Sequence, residues 1–116
     1  MISARGGPFV ATTDRSFAGL MGESMGVMND GMGRAAVTGD PDHDFAAMMI
    51  PHHQGAVDMA KVELLYGKDP VLRRMAQELI VSQQQEIAVM QRRIDTMSTP
   101  STTVPATPPI TSPRAP

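Results

Sequence analysis

The 116-residue sequence contains no cysteine and few aromatic residues, and both absences limit what the protein can be. Without cysteine there is no disulfide bond, no thiolate zinc site and no iron–sulfur cluster. Three Phe, one Tyr and no Trp, together with the lack of a basic stripe, argue against a nucleic-acid-binding domain. No apolar run reaches the length of a membrane span, and no signal peptide is visible in residues 1–13. A small fold of this kind is marginal without extra support, which a metal or a partner chain could supply.

The sequence also lacks the motifs of common enzyme classes. It contains no H-E-x-x-H zinc motif, no E-x-x-H pair of the kind that builds di-iron sites, and no Rossmann fingerprint. We therefore predict that the protein is not an enzyme.

Methionine, in contrast, is abundant. Apart from Met1, the other ten of the 11 methionines lie between Met21 and Met97. Methionine at helical spacing is commonly a core gap-filler. A bundle that needed only packing would use leucine, whose rotamers specify a core better. The excess of methionine therefore favours a role for the sulfur atoms.

The composition divides the chain into three parts. Residues 1–12 are predicted to be an N-terminal extension, and residues 13–97 a helical bundle that is rich in methionine and histidine. Residues 98–116 are rich in proline, threonine and serine. Such a segment buries too little apolar surface to offset its ordering entropy, so we predict a disordered tail.

Two helices are clearly marked at both ends. Asp40 is a good N-cap and Pro41 suits the first helical position, which predicts a second helix that runs to Tyr66. The same Asp-Pro signal begins a third helix at Pro70, which the apolar periodicity carries to about residue 97. Pro51 lies inside the second helix, where it predicts a kink or, alternatively, a break into two shorter helices.

The first helix is the weakest of the three. A cap at Thr13 or Asp14 and an end near Gly33 fit the pattern, although each interior glycine costs roughly 1 kcal/mol. Its methionines still recur at steps of three and four residues, which predicts a methionine face. The helix is expected to be loose until something binds it, or to use its glycines for close helix packing.

Short connections favour antiparallel neighbours, so residues at equal distances from a turn should lie level with each other. This count sets His52 and His53 opposite Gln83 and Glu86, and sets Met49 and His52 level with Met25 and Met21. The predicted neighbourhood contains soft donors and one carboxylate: Met21, Met25, Met28, Met49, His52, His53, Glu86 and Met90.

Thioether sulfur is a soft ligand that suits Cu(I), and imidazole binds copper and zinc alike. A site that mixes the two selects copper over magnesium, calcium or manganese. His52 and His53 are adjacent, so their rings diverge by about 100° around a helix, and one of them could be merely structural. Two alternatives stay open: a zinc or other divalent site at the histidines, and a non-metal helical module that oligomerises through its methionine faces.

Residues 42–60, DHDFAAMMIPHHQGAVDMA, and residues 83–90, QQQEIAVM, resemble the domain-of-unknown-function 305 family. The resemblance covers residues 40–94. It implies a ferritin-like helical bundle, in which a partner chain could supply a fourth helix. It also implies copper binding, because some members are periplasmic or secreted copper-binding proteins linked to copper resistance. The positions that match the motif are Asp42, Met49, His52, His53, Met59, Glu86 and Met90.

We therefore expect an all-α, up–down–up bundle that binds copper, mainly Cu(I), in sequestration, buffering or transfer to a partner protein. A homodimer is also expected as a candidate assembly. The candidate metal ligands are Met49, His52, His53, Met21, Met25, Met28, Met59 and Met90. The side chains expected to orient those ligands are Asp42, Gln83 and Glu86.

Overall fold

The computed structural model describes residues 9–98, which form three α-helices: α1 at Phe17–Gly33, α2 at Pro41–Tyr66 and α3 at Pro70–Ser98. Residues 9–98 contain no strand, so the predicted all-α class is confirmed. The predicted disordered tail lies outside the described residues except for its first residue, Ser98, which ends α3.

The ends of α2 and the start of α3 lie where the sequence predicts them. Asp40 has an extended backbone, and its Oδ1 accepts a hydrogen bond of 3.1 Å from the Asp42 amide. Asp69 Oδ2 accepts one of 2.9 Å from the Leu72 amide. Each aspartate thereby satisfies one of the amide groups that a helix start leaves without an internal partner.

The first helix begins later than Thr13 or Asp14, so that part of the prediction is wrong. Ser16 is the N-cap, and its Oγ accepts a hydrogen bond of 3.0 Å from the Gly19 amide. Thr12 Oγ1 instead accepts from the Asp14 amide at 3.2 Å and holds a turn ahead of the helix. Local side-chain bonds of this kind compete with helix formation.

The second helix continues through Pro51 as one α-helix, so the predicted alternative of two shorter helices is wrong. A Cβ atom added at Gly31 would lie 2.9 Å from the Pro51 Cβ, which shows that the α1 backbone packs directly against the proline. We infer that this tertiary contact helps to offset the hydrogen bond that Pro51 removes.

The three helices are arranged as one layer with α2 in the middle. Both α1 and α3 pack against α2, whereas no Cα atoms of α1 and α3 approach within 8 Å in the described part of the chain. Two contacts join the end of α2 to the start of α1. Tyr66 donates a hydrogen bond to the Arg15 carbonyl, and the Phe17 and Tyr66 rings meet edge to face with their centroids 6.3 Å apart. Arg73 ties α3 to the end of α2 by donating to the Leu64 and Gly67 carbonyls.

The loop between α1 and α2 is folded back beside the first turn of α2. The Asp44 carboxylate accepts hydrogen bonds from the Thr38 amide and hydroxyl and from the Gly39 amide, all within 3.0 Å. Gly39 has a φ of 94°, a left-handed conformation that glycine adopts without steric cost. Since the loop runs along α2, the first turns of α2 extend beyond the end of α1.

The hydrophobic core is small and is built largely from small side chains. Its buried apolar residues in the described range are Leu20, Ala46, Val57, Ala60, Val62 and Ala76. Small side chains let helices approach closely, but they bury little apolar surface each. The layer therefore gains modest stability from its own interior.

Candidate metal centre

His53 lies at the α2–α3 contact, and its two ring nitrogens have different environments. Its Nε2 lies 2.6 Å from Glu86 Oε1, which comes from α3. Its Nδ1 is buried and has no hydrogen-bond partner among the described residues. The side chain is 12% exposed, whereas that of Glu86 is 58% exposed. If Nε2 carries the proton donated to Glu86, Nδ1 presents a free lone pair.

His52 and Met49 lie on the same stretch of α2. His52 is exposed and Met49 is half-buried, and the two imidazole rings have centroids 6.2 Å apart, tilted by 58°. Met49 precedes His52 by three residues and His53 by four, which are the spacings at which helical side chains are neighbours. The helix therefore clusters one thioether and two imidazoles, in spite of the divergence of the adjacent rings.

The α1 side of the site differs from the expected register. A Cβ at Gly55 would lie 2.6 Å from Met28 Sδ, so Met28 packs directly on α2 two residues beyond His53. At 1.5 Å per residue, Met25 and Met21 then lie about 5 and 10 Å further along α1, toward the C-terminal end of α2. Their expected position level with Met49 and His52 is therefore wrong.

The physical reason for the shift is the folded-back loop that Asp44 holds. A count of equal distances assumes a turn that is centred between the two helices. Because the loop runs along α2 instead, α1 pairs with later residues of α2 than the count predicts. Gly31 meets Pro51 and Phe17 meets Tyr66, and both pairs have this shifted register.

On α3, the His53–Glu86 contact sets the register with α2. Met90 follows Glu86 by one helical turn, and Met49 precedes His53 by one turn, so these two half-buried methionines lie level in the antiparallel pair. Gln83, one turn before Glu86, is also half-buried and lies level with Ala56. This pairing agrees with the expected register to within one turn.

Two of the candidate residues lie away from the histidines along α2. Asp42 is exposed in the first turn, ten residues or about 15 Å before His52. Met59 lies about 10 Å beyond His52 and lines a groove between α2 and α3 with Met75.

The methionines lie on one side of the layer. Between its contact with α1 and its contact with α3, α2 presents a strip of side chains at helical spacing. The groove between α2 and α3 continues this strip onto α3. The Met28–Gly55 and Phe17–Tyr66 contacts place the apolar repeat of α1 along the same side. We call this surface the methionine face, and it comprises Phe17, Met21, Met25, Met28, Met32, Phe45, Met49, His52, Met59, Leu72, Met75, Leu79 and Met90.

Sequence reasoning left out two donors that the structure brings into consideration. Met32 follows Gly31, which contacts Pro51, and so lies level with the start of the histidine cluster. Met75 lines the groove opposite Met59. The methionine repeat on α1 already included Met32, but the incorrect register placed it away from the histidines.

Two aspartates have perturbed acidity for opposite reasons. The backbone amide of Thr38, with help from the His43 ring and the Gly39 amide, holds the pKa of Asp44 well below its usual range. Burial raises the pKa of Asp58, although a hydrogen bond of 2.9 Å from Gln54 works against this. Asp44 fastens the loop, and Asp58 lies inside the fold, where its charge is poorly solvated.

The remaining metal-binding chemistry in residues 9–98 is limited. No group of three or more His, Cys, Asp or Glu side chains in this range is arranged to hold a metal ion. The same residues include no helix that is long and apolar enough to cross a membrane.

Comparison with known proteins gives a family and one curated relative. Residues 5–94 match the profile of the family described as Domain of unknown function (DUF305). Over 54 residues the chain is 39% identical to "Uncharacterized protein L153" of Acanthamoeba polyphaga mimivirus. That match covers 47% of this chain and 36% of the viral protein, so the chain spans about a third of that relative's length in the match.

Proposed function

The chain belongs to the DUF305 family, and we propose that this member binds copper, mainly as Cu(I), through thioether and imidazole donors on α2 and its neighbours. The proposed role is sequestration, buffering or transfer of copper to a partner protein, without catalysis.

The observation that carries the proposal is the asymmetry of His53. A buried nitrogen without a hydrogen-bond partner costs free energy, so such an atom calls for an explanation. Histidines that bind metals usually donate their other ring N–H to a carboxylate, which fixes the tautomer and orients the ring. The Nε2–Glu86 contact has this form and leaves Nδ1 as the candidate metal-binding atom.

The neighbouring donors favour copper over zinc. Structural zinc sites take four ligands from cysteine, histidine and carboxylate side chains, and residues 9–98 assemble no group of three of these. The sulfur donors on or level with this stretch of α2 are Met49, Met28, which packs against Gly55, and Met90, which lies level with Met49. Thioether sulfur favours Cu(I) and is a poor ligand for hard cations.

The exposure of the site suits exchange of the ion. In the single chain His52 is exposed, which offers an entry point, while Met49 and His53 are less exposed. Because the donor set contains no cysteine, its ligands are not lost to disulfide formation in an oxidising compartment. We therefore include a periplasmic or secreted location in the proposal.

The test is a Cu(I) competition titration against a chromogenic chelator, with wild type, the His52→Ala/His53→Ala double variant and Met49→Leu. Loss of a ligand should weaken Cu(I) binding at least tenfold, and Glu86→Gln should weaken it about 10- to 100-fold through the orientation of His53. Circular dichroism confirms that each variant is folded.

Met97→Leu is the matched control for Met49→Leu, because it removes a sulfur near the end of α3 with the same change in shape. It should bind Cu(I) like wild type. Unchanged binding in the double histidine variant would remove the histidines from the site. Displacement of Cu(I) by equimolar Zn(II) would favour the divalent alternative.

A further inference from the structure

We infer that the methionine face is the surface through which two copies of this chain associate, with or without metal. Domains are built from at least two packed layers around a common core, whereas residues 9–98 form one layer in which no Cα atoms of α1 and α3 come within 8 Å. Half of the six buried apolar residues are alanines. Such a layer needs a second layer against its apolar side.

The methionine face exposes the apolar surface that a second layer would cover. Phe45 is 63% exposed, Leu72 52% and Met75 55%. Leu72 and Met75 line the groove between α2 and α3, which has a volume of about 340 Å³ and is almost entirely apolar. Large apolar patches of this kind mark interaction sites in soluble proteins.

The rest of this sequence offers no adequate cover. Residues 99–116 contain only Val104 and Ile110 as large apolar side chains, and residues 1–8 contain only Met1 and Ile2. Four such side chains are too few to fill a groove and cover the neighbouring surface of two helices. When the purified chain folds, the remaining source of an apolar layer is another copy.

The size and charge of the face suit self-association. The 26 residues of α2 give a length of about 39 Å, and two helix spacings give a width of about 18 Å. The resulting area of about 700 Å² approaches the roughly 800 Å² per partner of a standard interface. Glu63 is half-buried at the groove and Glu86 is paired with His53, so contact between two identical faces brings few free like charges together.

A two-fold dimer uses the same patch on both copies, which requires a self-complementary surface. Methionine side chains are unbranched and adaptable, so two methionine faces can interdigitate without an exact match of shape. The dimer would also place the His52 imidazoles and methionine sulfurs of the two copies on either side of one interface.

The experiment is analytical ultracentrifugation of the full chain without metal, in the presence of a chelator, over a range of protein concentrations. Wild type should sediment with twice the mass of the 12.4 kDa chain. Met75→Glu should shift the dimer–monomer midpoint to at least tenfold higher concentration. Val81→Glu is the matched control, because Val81 is 57% exposed, as Met75 is 55%, but it does not line the groove.

A second measurement covers the case in which Met75→Glu fails to fold. The melting temperature of wild type should rise with protein concentration, since association stabilises the folded state by mass action. A wild-type monomer with a concentration-independent melting temperature would overturn the inference. Equal loss of association in Met75→Glu and Val81→Glu would overturn the assignment of the face. Neither outcome involves copper, so both are separate from the copper titration.

Discussion

Replacing Gly55 with alanine should push α1 away from α2. The added Cβ would lie 2.6 Å from Met28 Sδ and 2.7 Å from both Met28 Cβ and Met28 Cγ. Two of these three atoms lie near the α1 backbone, so rotation of the methionine tip alone cannot relieve the overlap. The helices must separate by a substantial fraction of an ångström to restore ordinary contact.

Two opposing terms set the size of the effect. Alanine gains about 1 kcal/mol over glycine in a helix, whereas overpacking of a tight contact costs about 1–3 kcal/mol. Gly22→Ala and Gly26→Ala provide the controls, because an added Cβ meets nothing within 4 Å at either position. These controls should gain about 1 kcal/mol, so Gly55→Ala should be less stable than either by about 1–3 kcal/mol.

Thermal unfolding followed by circular dichroism measures the difference at one fixed protein concentration. For a domain of this size, 1 kcal/mol corresponds to about 4–8 °C in melting temperature. Met28→Ala in the Gly55→Ala background should recover part of the loss, which a double-mutant cycle would show as coupling. If Gly55→Ala gained as much stability as Gly22→Ala, the close approach of α1 to α2 would be refuted.

Three further predictions concern polar contacts that hold the layer together. Burial raises the folded pKa of Asp58, so its carboxylate destabilises the fold as pH rises. Asp58→Asn should therefore raise the melting temperature at pH 7. The difference in melting temperature from wild type should disappear as pH falls toward about 4. Asp44 has a lowered folded pKa, so Asp44→Asn should be destabilising at pH 7, and that penalty should become smaller, without vanishing, at pH 2, as urea titrations at the two pH values would show. If either variant differed from wild type by the same amount at pH 7 and at its acidic pH, the pKa shift assigned to that aspartate would be contradicted. Tyr66→Phe removes the hydrogen bond to the Arg15 carbonyl and should cost about 1 kcal/mol in urea unfolding, with the ring contact to Phe17 kept; no loss would show that this bond is not stabilising.

Local signals in the sequence were sufficient to predict two helices closely. Asp40 with Pro41 and Asp69 with Pro70 each combine a capping side chain with a residue whose φ suits a first turn. These interactions involve residues only a few positions apart, so their effect does not depend on the rest of the fold.

The parts that depend on distant contacts were harder to predict. The alternative of a break at Pro51 was wrong because the pattern along α2 does not include the packing of Gly31 from α1. The α1 register was wrong because Asp44 holds the loop beside α2, which the sequence spacing does not reveal. The consequence is that Met21 and Met25 lie further from the histidines than Met28 does.

The same difference between local signals and distant contacts applies to the candidate site. The spacing of Met49, His52 and His53 follows from one helix and could be predicted from sequence, and the antiparallel count placed Glu86 near the histidines. The His53 ring is largely buried, and its Nδ1 lacks a partner, because of the way α3 packs on α2. No local sequence pattern indicates how these two helices pack. The copper assignment itself remains a proposal.

X-ray absorption spectroscopy at the copper edge tests the central claim most directly. The full chain, loaded with less than one equivalent of Cu(I) under nitrogen, should show both sulfur and imidazole nitrogen bound to the metal. The sulfur contribution should decrease in Met49→Leu, and the imidazole contribution should decrease in His53→Ala. A spectrum with only nitrogen and oxygen neighbours, unchanged in both variants, would contradict coordination by the methionine and histidine cluster on α2.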